Sequence, residues 1–183
     1  HQELGDIMTK TATVVRNNES LQEAYENVRE LAERAQNCSL SDSGNWTNQN
    51  VVFTKALFDM FPLAKTILLG ALQRDECRGA HYKPEFERKG IVAEDPAEQR
   101  RQAEQWCDDF QANNDRWLKS TVADWNGQDG TPNLSYEDVD TSLIPPRPRL
   151  YGLVGAEMIE EVWRERSSTT AAGAQPSTSG TGK

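Results

Sequence analysis

The residues best suited to chemistry in this 183-residue chain are Arg78 and His81, which flank Gly79. An imidazole exchanges protons near neutral pH and a guanidinium holds anions, so the pair could act as a general acid/base or as an anion clamp. The alternative is structural: Arg78 compensates the negative end of a helix, and His81 fixes that helix to its neighbours by hydrogen bonds. No nucleophile or second base accompanies the pair, so we favour the structural interpretation.

Other residues that could carry catalysis or bind metal are few. Two histidines, one of them the terminal His1, cannot build a multi-histidine metal site, and no Cys-x-x-Cys pair is present. Neither a Gly-x-Gly-x-x-Gly pattern nor a P-loop occurs. Cys38, Cys77 and Cys107 form no motif and are odd in number, which favours free thiols in a reducing compartment. The residues therefore predict no catalytic, cofactor-binding or metal site.

The chain is acidic, with 29 Asp and Glu against 20 Lys and Arg and a formal net charge of −9. Its basic residues are scattered, with no dense run to face phosphates, and this argues against a nucleic-acid binder. The most apolar segment, 51–72, is interrupted by Lys55, Asp59 and Lys65. We therefore interpret it as a buried helix and not as a membrane span.

Apolar residues at helical spacing predict a mainly α chain that begins with a three-helix bundle over residues 1–82, similar to a spectrin repeat. The first helix is predicted from Gln2 to Val15. It opens without a cap or an initiator Met, which we interpret as a truncated chain. The second helix is predicted to begin at Ser20, which forms a capping box with Glu23.

The third helix is predicted from Asn48 to Glu76 and is apolar around most of its circumference. A helix of this kind must be covered on several sides, so we expect it to be the central one. Pro62 should bend it. Gly79 is a suitable left-handed stop after its last turn, and Arg78 is well placed for its negative end.

An extended, irregular tail with an inserted helix is predicted over residues 83–152. The helix, at about 95–113, has a strong start signal, with Asp95 as the cap, Pro96 at the first helical position and Glu98 in the first turn.

A β-hairpin at about 120–140, with a glycine-rich turn at 126–130, follows from two strand-like runs. Residues 153–166 form a possible short helix. Residues 167–183 are mostly Ser, Thr, Gly and Ala, and we expect them to be disordered.

Several motifs together resemble the C-terminal region of succinate dehydrogenase and fumarate reductase flavoprotein subunits. They are Arg-Gly-Ala-His-Tyr-Lys-Pro-Glu-Phe at 78–86, Trp-Leu-Lys-Ser-Thr at 117–121 and Ser-Tyr-Glu-Asp-Val at 135–139. The residues of the first and third motifs are most similar to the bacterial succinate dehydrogenase branch of the family. The resemblance runs nearly to Tyr151; residues 87–113 look like an insertion, and the tail after 152 looks additional.

The resemblance implies a C-terminal helical domain of a flavoprotein subunit that oxidises succinate to fumarate on FAD. Electrons would pass to an iron–sulfur subunit and to quinone, in a complex with a membrane anchor at the inner face of the cytoplasmic membrane. In this family the FAD and substrate sites precede the matching region. The resemblance therefore implies that this chain has no cofactor, no direct membrane insertion and no activity by itself.

The same resemblance makes Arg78, Gly79, His81 and Tyr82 a candidate junction with the FAD-binding domain of the same subunit. Two alternatives stay open. Fumarate reductase and L-aspartate oxidase flavoproteins share the Arg-Gly-(Ala/Leu)-His block, so the chain could come from either. A free-standing acidic helical interaction module is the alternative from another class, and it requires a genuine start near His1.

Overall fold

The computed structural model describes residues 1–125 and 130–173, the last five of them by their backbone alone. The chain divides into two compact units: residues 1–87 with 119–139, and residues 88–118 with the chain from Asp140 onward. In chain order the elements are α1 (Gln2–Thr11), α2 (Asn18–Ala35), α3 (Gln49–Gln73), a 3-10 turn (Pro84–Phe86), α4 (Pro96–Trp117), β1 (Lys119–Trp125), β2 (Pro132–Asp138) and α5 (Ala156–Gly173). The predicted mainly α fold with one hairpin is confirmed.

The first unit is built on a bundle of α1, α2 and α3. Their apolar faces meet in one core, to which α1 contributes Leu4, α2 contributes Leu21 and Val28, and α3 contributes Phe61 and Leu68. The middle position belongs to α2, which contacts both other helices. The prediction that the third helix is central is therefore wrong.

Much of the apolar surface of α3 is left uncovered within the first unit, although the sequence predicted that the helix would be enclosed. The exposed apolar residues on α3 are Val51, Val52, Phe53, Met60, Leu63 and Ile67. α3 thus has more apolar residues than the bundle buries. For this reason the apolar pattern alone wrongly predicted that α3 is the central helix.

The first two helices differ from their predicted bounds near residues 11–20. α1 ends at Thr11 and not at Val15, because Val15 forms a parallel bridge with Tyr82 and so lies outside the helix. α2 begins at Asn18, and the predicted capping box at Ser20 is wrong. Asn17 is the actual cap: its side chain accepts the Ser20 backbone N–H at 2.8 Å, a role for which asparagine is well suited.

The third helix ends at Gln73, before the predicted end at Glu76. Gly79 does have positive φ, at 60°, but it forms a tight turn and not a helix stop. Arg78 and His81 exchange both backbone hydrogen bonds across it, at 2.8 and 3.0 Å. Glycine is favoured at the first central position of such two-residue turns. The interpretation of Arg78 as a helix-end cation is therefore wrong.

The hairpin is confirmed as an antiparallel pair in which Lys119 lies opposite Asp138 and Trp125 opposite Pro132. Of its predicted turn, residues 126–129 lie outside the described part of the chain. β1 is attached to the end of α3, because Arg74 Nη2 donates to the Lys119 carbonyl at 2.9 Å.

The second unit packs α4 against α5. Asp95 caps α4 as predicted by accepting the Glu98 backbone N–H at 3.0 Å, and α4 continues beyond its predicted end at 113. The buried residues of the shared core are Ile91, Ala103, Trp106, Cys107, Phe110, Ile159 and Val162.

The last helix extends further than the sequence indicated, since α5 runs to Gly173 and includes residues predicted to be disordered. Ile159 and Val162 are fully buried against α4, so apolar packing stabilises a helix whose last turns are poor in apolar residues. Residues 174–183 lie outside the described part. Among the described helices, none combines the length and the apolar character that crossing a bilayer requires.

Two leucines of α3 test which face of the helix is buried. Leu68 is 0% exposed and Leu63 is 64% exposed. We expect Leu68→Ala to lower the free energy of unfolding by about 2–5 kcal/mol, because it opens a cavity in the bundle core. The control Leu63→Ala should change it by less than about 0.5 kcal/mol. Urea denaturation followed by circular dichroism measures both; equal effects would contradict the assigned face.

Candidate functional site

The four predicted site residues lie on the connection between α3 and the 3-10 turn, residues 74–83. Gly79 is exposed at the tip of its turn, and Arg78, His81 and Tyr82 are half-buried beside it. The backbone brings Arg78 and His81 together, but their side chains bind different partners. The site is therefore described from the residues that hold this turn in place.

Glu76 is the first of these, and its side chain is completely buried. Arg74 Nη1 donates to Glu76 Oε1 at 2.6 Å, and Arg78 Nε donates to both carboxylate oxygens at 3.0 Å. A buried carboxylate is tolerated only when charge and hydrogen bonds compensate it, and two guanidinium groups do so here.

Sequence analysis missed Glu76 because it placed the residue in the last turn of the third helix. A signal was present in the alternation of Arg74, Glu76 and Arg78 at every second position. In an extended chain, residues two apart lie on the same side, whereas in a helix they do not. The alternation of charge thus indicated that the helix ends before Glu76, where the structure has a bend.

Lys83 is the second buried charge, and it is fully enclosed. Its ammonium donates to Asn18 Oδ1 at 2.6 Å, to Asp75 Oδ1 at 3.0 Å and to the Leu72 carbonyl at 3.1 Å. These contacts use all three of its N–H groups. One side chain therefore ties the start of α2, the end of α3 and the connection to each other.

His81 has both ring nitrogens engaged within the chain. Arg16 Nη1 lies 2.8 Å from Nδ1, and Nε2 lies 2.8 Å from the Arg74 carbonyl oxygen. A guanidinium can only donate, so Nδ1 accepts, and the proton is on Nε2, which donates to Arg74. The imidazole is therefore neutral. Burial lowers its pKa, and the charges of Arg16 and Lys83 lower it further, although the Arg74 hydrogen bond raises it.

Arg16 is a further residue of the site that the sequence did not indicate. Its backbone N–H donates to the Tyr82 carbonyl at 2.8 Å, and Tyr82 returns a backbone bond to Val14 at 3.1 Å. The Tyr82 hydroxyl donates to Glu87 at 2.9 Å, and this bond raises the pKa of the phenol. No sequence signal for Arg16 was available, since it contacts His81 from 65 residues away.

An open cavity of about 290 Å³ lies beside His81 in the first unit. Its lining residues are Arg16, Thr66, Ile67, Gly70, Ala71, Arg74, His81, Thr121 and Ala123. The cavity falls just below the usual range for drug-sized ligands, about 300–1,000 Å³, and no glycine-rich phosphate loop lines it. Its residues therefore do not fit FAD. Among the described residues, no group of three or more His, Cys, Asp or Glu could hold a metal ion.

A helical bundle and a hairpin fixed together by buried charges define a helical domain. The chain belongs to the family described as fumarate reductase flavoprotein C-term, whose sequence model matches residues 1–151. The matched range includes 87–113 and ends before the tail that was expected to be additional.

Similar proteins include the succinate dehydrogenase flavoprotein subunit of Bacillus subtilis, 38% identical over 151 residues, which are 82% of this chain and 22% of that protein. The fumarate reductase flavoprotein subunit of Haemophilus influenzae is 27% identical over 150 residues, which are 82% of this chain and 21% of that protein. The chain thus spans about a fifth of the length of these relatives.

Solved structures show the same fold. An FrdA variant of Escherichia coli quinol fumarate reductase matches with a TM-score of 0.60 and 26% identity, over 81% of this chain and 22% of that one. Mycobacterium smegmatis Sdh1 in complex with UQ1 matches with a TM-score of 0.57 and 21% identity, over 83% and 21%.

The compensation of Glu76 is tested by neutralising it. We expect Glu76→Gln to lower the free energy of unfolding by about 3–5 kcal/mol, because it leaves two half-buried guanidinium groups without their shared carboxylate. The matched control is Glu26→Gln on α2, which breaks an exposed ion pair with Arg29 and should cost less than about 1 kcal/mol. Urea denaturation at neutral pH measures both variants. A cost for Glu76→Gln no larger than that of the control would contradict the account.

The neutral state of His81 predicts a dependence of stability on pH. Its pKa in the folded chain lies below the ordinary value of 6.5, so between the two values the unfolded chain binds more protons. The stabilisation is complete above 6.5 and is lost as the pH falls through that value towards the folded pKa. We expect the wild type to lose more stability than His81→Gln between neutral pH and mildly acidic pH.

The variant shares every carboxylate with the wild type, so the difference between their urea midpoints isolates the imidazole. Nitrogen-15 NMR of the ring gives an independent check, since Nε2 should carry the proton and Nδ1 should not. Parallel pH profiles, or a proton on Nδ1, would show that the assigned hydrogen bonds are wrong.

Proposed function

We propose that this chain is the C-terminal helical domain of a succinate dehydrogenase flavoprotein subunit, and that its role is structural. The parent subunit would oxidise succinate to fumarate on FAD and pass electrons through an iron–sulfur subunit to quinone. The observation that carries the proposal is the family match over residues 1–151, together with 38% identity to a protein named succinate dehydrogenase flavoprotein subunit.

The candidate junction with the FAD-binding domain is the turn formed by Arg78, Gly79, His81 and Tyr82. Its tip is exposed at Gly79, while the buried charges of Glu76 and Lys83 hold its base. An exposed tip on a rigid base suits a contact that sets the position of one domain against another. Because both nitrogens of His81 are engaged within the chain, the geometry favours positioning over proton transfer.

The partners follow from the same proposal. They are the FAD-binding domain of the same subunit, an iron–sulfur subunit and a membrane anchor, which would place the parent complex at the inner face of the cytoplasmic membrane. In support, the similar solved structures include a quinol fumarate reductase with menaquinol molecules, 25% identical with a TM-score of 0.57. FAD would be held by the parent subunit outside this chain.

A fumarate reductase flavoprotein is the second candidate, favoured by the 27% identity to the Haemophilus influenzae protein. An L-aspartate oxidase flavoprotein is the other relative that the sequence motifs left open. Three assays on the parent separate them: succinate oxidation with an artificial electron acceptor, fumarate reduction with a reduced viologen, and oxidation of L-aspartate.

The size of the native polypeptide tests the proposal directly. Antibodies against this chain should isolate from native cells a polypeptide about four times as long, as the share of its relatives indicates. That protein should carry FAD and oxidise succinate. The chain purified by itself should bind no stoichiometric FAD, since its cavity lacks a phosphate loop. A native polypeptide no longer than this chain, without flavin, would instead support the acidic interaction module.

A further inference from the structure

Arg16 is a half-buried cation without a carboxylate partner among the described residues. Its Nε donates to the Thr13 carbonyl at 2.7 Å, Nη2 to the Ala12 carbonyl at 2.8 Å, and Nη1 to His81. These bonds use three of the five N–H groups of a guanidinium and leave one on each terminal nitrogen. Carboxylates are the acceptors that a guanidinium binds most strongly, and Arg16 lines an open cavity.

An apolar strip on α3 leads to the same cavity. It consists of Val52, Met60, Leu63 and Ile67, which we call the α3 stripe, and these residues are 41–66% exposed. Their spacing places them on one face of the helix. Ile67 belongs both to the stripe and to the lining of the cavity, so the two surfaces are continuous. Contiguous exposed apolar surface with a polar border is typical of protein interaction sites.

We propose that the α3 stripe and the cavity form one docking surface for a segment of the FAD-binding part of the same flavoprotein subunit. Apolar side chains of that segment pack on the stripe, and one Asp or Glu carboxylate binds Arg16. This inference rests on the proposed function, which supplies the occupant. It adds a specific ion pair and a specific helix face to the junction at residues 78–82.

The chemistry of the surface favours a polypeptide over a free anion. A small carboxylate would satisfy Arg16 but would leave the α3 stripe exposed to water. A segment with an acidic residue beside apolar ones covers both, and burying the apolar area contributes about 25 cal/mol for each Å². The charge of Arg16 also selects the acidic residue, because an incoming Lys or Arg would meet a like charge at short range.

Arginine labelling with phenylglyoxal, followed by peptide mass spectrometry, tests the ion pair. Arg16 should react in this chain alone and should react at least about tenfold more slowly in the native-length subunit. Arg29, half-exposed on α2, is the internal control and should react at the same rate in both. Equal labelling of Arg16 in the two preparations would overturn the proposal.

The intact mass and flavin content of the same subunit preparation report separately on the proposed function. A native-length, flavin-bearing subunit in which Arg16 reacts freely would refute the docking surface and leave the proposed function standing. A native polypeptide of the size of this chain would refute both.

A pair of variants in the subunit tests the apolar half of the surface. Leu63→Asp should restore the labelling of Arg16, because it places a charge in the stripe without disturbing the bundle core. Leu40→Asp, at an exposed position outside the stripe, should leave Arg16 protected. Protection that survives Leu63→Asp would remove the stripe from the proposal.

Two further measurements on the chain alone separate the other occupants. Acetate that protects Arg16 as fully as the subunit does would show a free-anion site, and protection that grows with chain concentration would show a second copy. Either result would overturn the assignment to the flavoprotein segment.

Discussion

The burial of two opposite charges, Glu76 and Lys83, is the constraint on which the first unit depends. An uncompensated buried charge costs several kcal/mol, so each must find its partners before the chain can close around it. Glu76 is satisfied only when the backbone bends so that Arg74 and Arg78 both reach its carboxylate. Lys83 is satisfied only when the start of α2 and the end of α3 meet. Bundle, connection and hairpin are consequently fixed by one set of contacts, since the Arg74 guanidinium also reaches β1.

Local signals predicted the elements well where only one signal was present. Asp95 followed by Pro96 starts α4 as expected, because no neighbouring residue competes as a cap. At the start of α2, Asn17 and Ser20 are both suitable caps. In the structure the Asn17 side chain accepts the backbone N–H of Ser20, so Asn17 is the cap and Ser20 lies inside the helix. Propensity rules rank such neighbours almost equally, so the choice between them is made by the contacts of the folded chain.

The site was harder to predict than the fold, because its bonds join residues distant in sequence. Arg16 and His81 are 65 residues apart, as are Asn18 and Lys83, and no periodicity connects them. In α3 the difficulty was to predict, from the apolar pattern, which face of the helix is buried. The apolar pattern shows which residues of a helix are hydrophobic but not which of them the fold buries. A helix with one core face and one uncovered apolar face therefore has the same pattern as a central helix.

The contacts of His81 join the proposed positioning role and the proposed docking surface in one arrangement. If the imidazole were protonated, Nδ1 would carry a hydrogen towards the Arg16 guanidinium, and two positive groups would face each other at 2.8 Å. The neutral ring instead accepts from Arg16 and holds it at the edge of the cavity, beside the backbone pairing of Val15 and Tyr82. The hydrogen bonds that occupy both ring nitrogens therefore also direct a cation towards the surface. In the proposed arrangement, a histidine that supplies no proton determines where an acidic partner binds.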